Sequence, residues 1–189
     1  GGNLKEPVTE STKKAARCFY ALEQKRADQK RYPAVNPIDS YSKYLEYPEI
    51  QEYLEKTIAP GWTEKVNELK NLIRKGREAQ EQINILGDDG VPMNYHELFW
   101  KSELIDFVVL QQDAFDAIDA LCPLERQKYM VELVLGICER HFEFEDFEKC
   151  RDFFKEIINI LRQMNYSEFH SEQFKEFENK LNTLLSNGK

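Results

Sequence analysis

From about residue 48 to the end of the chain, apolar residues return every three or four positions, and a spacing of that period specifies helix. Pro48 suits the first position of a helix carrying Ile50, Tyr53, Leu54 and Ile58, which Pro60-Gly61 stops. A longer helix follows, with Trp62, Val66, Leu69, Ile73, Gly76 and Ile83 on one face, ending at Gly87 before the turn-rich Asp88-Asp89-Gly90-Val91-Pro92. Asn94, with Glu97 three residues on, resembles a capping box for a helix through Leu98, Ile105, Val108 and Val109 to about Gln111. From Gln111 to Pro123 the period breaks. It resumes in Met130, Leu133, Val134, Ile137, Cys138 and His141, which read as one continuous core stripe with His141 a packed histidine. Phe147, Phe153, Phe154, Ile157, Ile158, Leu161 and Met164 mark another stripe. Ser171 caps a last helix through Phe174, Phe177, Leu181, Leu184 and Leu185, ending near Gly188. Short connections between such helices imply antiparallel neighbours, and unequal lengths argue against a solenoid. The expectation is an all-α fold, a helical bundle over residues 48–189 able to fold by itself.

Residues 1–47 have another character. Val8 to Tyr20 mixes β-branched and aromatic residues with Ala15-Ala16 and fits strand or helix. Tyr32-Pro33-Ala34-Val35-Asn36-Pro37 is expected as an extended loop, because each proline keeps the residue before it out of the α region. This segment reads as the tail of a different domain.

Composition removes several function classes. A net charge of −8 is the wrong sign for a nucleic-acid or anionic-membrane surface. No apolar run approaches the ~20 residues that span a bilayer, and Gly1 to Lys14 contains no signal-peptide core. With 12 Phe, 9 Tyr and 2 Trp in 189 residues, the chain has ample surface to bury and is not a disordered one. Cys18, Cys122, Cys138 and Cys150 include no Cys-x-x-Cys pair, and His96, His141 and His170 stand singly, so no metal site is expected and the cysteines read as reduced thiols. No Gly-x-x-x-x-Gly-Lys-Ser/Thr, Gly-x-Gly-x-x-Gly, Gly-x-Ser-x-Gly or His-Glu-x-x-His occurs. Composition and periodicity alone describe an α-helical interaction domain.

Three segments point further. Gly1-Gly2-Asn3-Leu4-Lys5-Glu6-Pro7-Val8-Thr9 resembles a Gly-Gly-Asp-Phe-Ser-Glu-Pro-Val-Thr stretch of the catalytic A subunits of V-type and archaeal-type rotary ATPases. Tyr32-Pro33-Ala34-Val35-Asn36-Pro37-Ile38-Asp39-Ser40-Tyr41-Ser42 is similar to the proline loop of that family, and to its counterpart in the β subunit of F-type enzymes. Leu110-Gln111-Gln112-Asp113-Ala114-Phe115-Asp116-Ala117-Ile118-Asp119 resembles the family's Leu-Gln-Gln-Asn-Ala-Phe-Asp-x-Val-Asp. Order and separation agree over essentially the whole chain, which looks closest to the bacterial branch found in chlamydiae and spirochaetes.

The resemblance implies the C-terminal part of such a subunit, with 1–47 the tail of the α/β nucleotide-binding domain and 48–189 the helical domain facing the rotor. The P-loop and catalytic glutamate would lie upstream, and a first residue other than Met suits that expectation. The intact subunit would alternate with B subunits around a central stalk, peripheral on the cytoplasmic face of the membrane. It would couple ATP hydrolysis or synthesis, with Mg²⁺ and ATP or ADP as cofactors, to proton or sodium transport. Tyr32 and Phe115 match the family's two adenine-stacking aromatics, and stacking on a base is worth ~1–3 kcal/mol. Gln111 and Gln112 are weaker candidates for shaping the same pocket, since helix-end solvation explains them equally well. Asp88, Asp89 and Gly90 occupy the place of the acidic turn that touches the rotor, although a plain solvated loop has the same composition. Cys122-Pro123 resembles a Cys-Pro position that pairs with a P-loop cysteine in some relatives, with a plain thiol the preferred reading. Alone, the chain is expected to bind no cofactor and to be inactive. The rival reading is a free-standing helical adaptor without an ATPase role, and an upstream P-loop in the reading frame distinguishes the two.

Overall fold

Proline placement and apolar spacing deliver helices in the order the chain proposes them. The structure, a computed structural model, describes residues 5–187, so Gly1 to Leu4 of the first motif and the expected helix end at Gly188 lie outside the described residues. The elements are α1 (Pro7–Ala15), β1 (Cys18–Phe19), α2 (Gln24–Asp28), β2 (Tyr41–Ser42), α3 (Pro48–Thr57), α4 (Trp62–Leu86), α5 (Met93–Ile105), α6 (Leu124–Cys138), α7 (Phe147–Asn165) and α8 (Glu172–Asn187). Among the described residues the class is therefore all-α with one minimal sheet. Two units emerge, Gly1–Val66 and Asn67–Lys189, with the boundary inside α4. Among the described residues no helix is long and apolar enough to cross a membrane.

In the first unit, Pro7 opens α1 at a position where its missing N–H is not needed. Of the two conformations open to Val8–Tyr20, the chain takes helix first and then a two-residue strand. β1 pairs antiparallel with β2, Cys18 opposite Ser42 and Phe19 opposite Tyr41, whose rings stack at 5.8 Å. A further bridge joins Leu22 to Val35, and Asn36 N–H donates to Ala21 O at 2.7 Å. Asn36 is buried, and its Oδ1 accepts from the amides of Ile38 and Asp39, which fixes the proline loop. Pro48 starts α3 as expected, but no residue of α3 is fully buried and Tyr53 is exposed, so its stripe is not a core face. Glu55 instead accepts from the amides of Gly61 and Thr63, giving the first turn of α4 the acceptor that its free N–H groups require.

The second unit is built on α7, the most amphipathic of these helices. Cys150, Phe154, Ile157, Leu161 and Met164 are wholly buried, and α7 packs on α5 and α8. Phe142, Phe144, Phe153 and Phe154 form an aromatic cluster with ring separations of 5.0–6.2 Å. Ser171 Oγ accepts from Phe174 N–H at 3.2 Å, the cap expected for α8. Gly87 ends α4 with φ +81°, a conformation natural to glycine.

Two expectations are corrected. Asn94 does not cap α5: the helix begins at Met93 after an extended Pro92, and no side chain caps it. Glu97 does not reach back, because its carboxylate is buried against Lys101 Nζ at 2.6 Å, and that ammonium also donates to Arg140 O at 2.9 Å. His141 is exposed rather than packed, since α6 stops at Cys138 and Phe142 takes the buried place after the bend.

Candidate functional site

The segment that breaks the helical period is a loop held by a dense set of its own hydrogen bonds. α5 ends in a π turn over Asp106–Leu110, closed by Gln111 N–H donating to Asp106 O at 3.0 Å. Widening a helix this way frees carbonyls. Asn165 at the end of α7 meets one of them, its Nδ2 donating to Val108 O at 2.9 Å in a buried bond. The chain then leaves the helix and folds back through three aspartates. Asp113 Oδ1 accepts from Phe115 N–H at 2.9 Å, and Asp116 Oδ1 from the amides of Ile118 and Asp119 at 2.9 and 2.8 Å. Asp119 Oδ2 accepts from Asp113 N–H at 2.6 Å, closing the loop. Gln112 Nε2 donates to Asp119 O at 2.8 Å, so its amide works within the loop.

Phe115 stands at the apex of this network, and its relative exposure is 101%. A phenyl ring with no protein packing, on a backbone tied at both flanks, presents its faces to whatever comes. Its support is Arg126 on α6, 1% exposed. Arg126 Nη2 donates to Ile118 O at 3.2 Å and lies 3.6 Å from Asp119 Oδ1, while Nε donates to Cys122 Sγ at 3.3 Å. Burial pushes the Asp119 carboxyl above the usual carboxylate value of 3.8, against the opposing pull of the Asp113 amide and the Arg126 charge.

Sequence reading had nominated Phe115 and Gln112 but missed Asp113, Asp116, Asp119 and Arg126 as a set. The signal for the first three was their spacing of three in a turn-rich stretch, where Asx turns form. Arg126, a cation in the first turn of a helix, carried no signal at all.

Tyr32 belongs to the first unit. It precedes Pro33 through a cis peptide, and the residue is 55% exposed. The acidic turn lies at the other end of α5. Asp88, Asp89 and Gly90 form an exposed 3-10 turn between Gly87 and Val91. Buried His96, stacked on Phe147 at 5.3 Å, holds Asp88 O through Nε2 at 2.9 Å. Ile85 and Leu86, the last residues of α4, are exposed beside it. The Cys122 thiol is half-buried against Arg126.

Residues 51–143 match the family model described as the C-terminal domain of V and A type ATP synthase. The V-type ATP synthase alpha chain of Chlamydia abortus is 38% identical over 176 residues, 93% of this chain and 29% of that protein. The alpha chain of Chlamydia trachomatis is 40% identical over 174 residues, 92% of this chain and 29% of that one. For Chlamydia pneumoniae the figures are 37% over 185 residues, 98% and 31%. The chain thus spans 29–31% of the length of these relatives. Among solved structures, "a unique ATP synthase subunit NeqB from Nanoarcheaum equitans" shares the fold at a TM-score of 0.56, with 17% identity, over 75% of this chain and 34% of that one. Identity of 37–40% across more than nine-tenths of the chain, joined to the domain match, makes this chain a member of the V-type ATP synthase alpha-chain family, whose C-terminal helical domain it carries.

Proposed function

We propose that this chain works as the C-terminal part of the catalytic alpha chain of a V-type ATP synthase. In that setting ATP hydrolysis or synthesis is coupled to rotation of a central stalk and to H⁺ or Na⁺ transport. The chain sits with B subunits and the stalk, peripheral to the cytoplasmic face of a membrane. The likeness to alpha chains over most of the chain favours this reading over a free-standing adaptor.

The observation that carries the nucleotide role is the bare Phe115 ring on its locked loop. An aromatic face fits the adenine of ATP or ADP, since stacking needs only a π surface held in place. Tyr32 of the first unit, also exposed, offers a stacking ring in its own right, and in the second unit Gln112 helps hold the Phe115 loop closed. The donor set does not fit a triphosphate with Mg²⁺, because the sequence has no phosphate-binding glycine loop. Phosphate chemistry therefore belongs to residues outside these 189, and this chain orients the base. By itself it is inactive. At the opposite end of α5, exposed Asp88 and Asp89 with Gly90, Ile85 and Leu86 form the rotor-facing contact. Weak exposed charges there make and break easily as a shaft turns.

The test is nucleotide affinity in the assembled ATPase. Tyr32→Ala and Phe115→Ala should each raise the KM for ATP, by about 5- to 150-fold for a fully lost stack, while assembly is unchanged. Tyr32→Phe should be mild. Unaltered affinity in the double-alanine variant refutes the stacking role of both rings. Micromolar ATP binding to the 189-residue chain refutes the division of labour, because stacking alone reaches about millimolar affinity.

A further inference from the structure

We propose that Arg126 is the positioning residue for the Phe115 ring, acting through Asp119 and the backbone of Ile118 to hold the base-stacking face in place. The proposal rests on the reading of Phe115 as an adenine-stacking residue.

Phe115 has no packing of its own, so the ring inherits its place entirely from the backbone around it. That backbone is set by the three aspartates, and Asp119 is where their bonds converge. It accepts from Asp113 N–H, receives Asp116 through its own amide, and offers its carbonyl to Gln112. Within the loop, however, every partner moves together. Arg126 is the group on a helix that reaches it, with Nη2 on Ile118 O and beside Asp119 Oδ1, and Nε on Cys122 Sγ. One guanidinium thus ties residues 118 and 119 to residue 122, using donors that diverge in a fixed plane. A lysine ammonium is a single point and cannot span the two. Arg126 is 1% exposed and cannot itself reach a nucleotide, so any effect on binding must pass through the loop.

The experiment uses Arg126→Lys, which keeps the buried charge opposite Asp119 but loses the fork. Cys122→Ala removes only the sulfur acceptor and serves as the gentler second variant. In the 189-residue chain, amide exchange at Asp113, Phe115, Ile118 and Asp119 should accelerate by about tenfold or more, as expected for local opening, with α7 and α8 protection unchanged. In the assembled ATPase, R126K should raise the KM for ATP by about three- to tenfold with kcat unchanged, a partial loss of one stack. In a Phe115→Ala background R126K should add nothing further to KM. Unchanged exchange at these four amides in both variants overturns the proposal. So does a KM effect of R126K that persists in full when Phe115 is absent, because Arg126 would then act elsewhere. Should Phe115→Ala alone leave KM unchanged, the stacking reading falls and the positioning role with it, and the exchange data show separately whether the tie itself exists.

Discussion

Gly76→Ala tests a close approach of α4 to α5 in the second unit. A Cβ added at Gly76 would stand 2.1 Å from Ser102 Cβ, 2.6 Å from Ser102 Oγ and 3.1 Å from Leu98 O. Non-bonded carbons rest at ~3.5–4.0 Å, so α4 and α5 would have to part locally by roughly 1.5 Å. The obstacle is backbone and Cβ, which no rotamer change removes. Overpacking costs about 1–3 kcal/mol, and a contact as short as 2.1 Å belongs at the upper end, about 2–3 kcal/mol. Alanine returns up to ~1 kcal/mol of helix propensity, leaving a net loss of about 1–2 kcal/mol. For a chain of this size that is a fall in Tm of roughly 3–6 °C, followed by circular dichroism. Gly136 supplies the control: it lies within α6, is exposed, and a Cβ there meets nothing within 4 Å. Gly136→Ala should therefore gain up to ~1 kcal/mol, and the same substitution should change sign between the two sites. Ser102→Gly in the Gly76→Ala background should recover part of the loss, a coupling that a double-mutant cycle isolates. A Gly76→Ala chain melting at or above the parent temperature would refute the close-approach argument.

Other outcomes follow from burial and backbone conformation. Burial pushes the thiols of Cys138 and Cys150 up to about 12 from an ordinary 9.0, whereas Cys18 is exposed. A disulfide reagent at pH 8 should therefore label Cys18 quickly and reach Cys138 and Cys150 only on unfolding. Because those two folded values are raised, their contribution to stability is intact below pH 9.0 and is lost as pH climbs toward about 12. Denaturant midpoints should fall across that window, and Cys138→Ala/Cys150→Ala should flatten the slope. Gly87 has φ +81° and ψ 165°, a region other residues avoid, so Gly87→Ala should cost about 1–3 kcal/mol by chemical denaturation although its Cβ touches nothing. An unchanged midpoint would show that the turn relaxes freely.

The helices were legible in the sequence because each one's period, proline or serine start and glycine stop is local. Pro48, Gly87 and Ser171 do in the structure what their residue types predict. The site was legible in part: Phe115 was nominated by resemblance, and the aspartates at 113, 116 and 119 could have been read as turn formers. The rest depended on partners far along the chain. Lys101 is buried because Arg140 O, 39 residues on, accepts from it, and that is also why Glu97 points away from the start of α5. Asn165 answers the carbonyl that the π turn frees 57 residues earlier. Arg126 is buried because Ile118, Asp119 and Cys122 fold back around its guanidinium. The sequence by itself determined where most helices lie and which apolar stripes they carry, as in α7 and α8, since those choices are settled within a few residues. Only tertiary structure decided which polar groups go inside, because a buried charge or amide is tolerated only where distant groups satisfy it, and periodicity does not encode them.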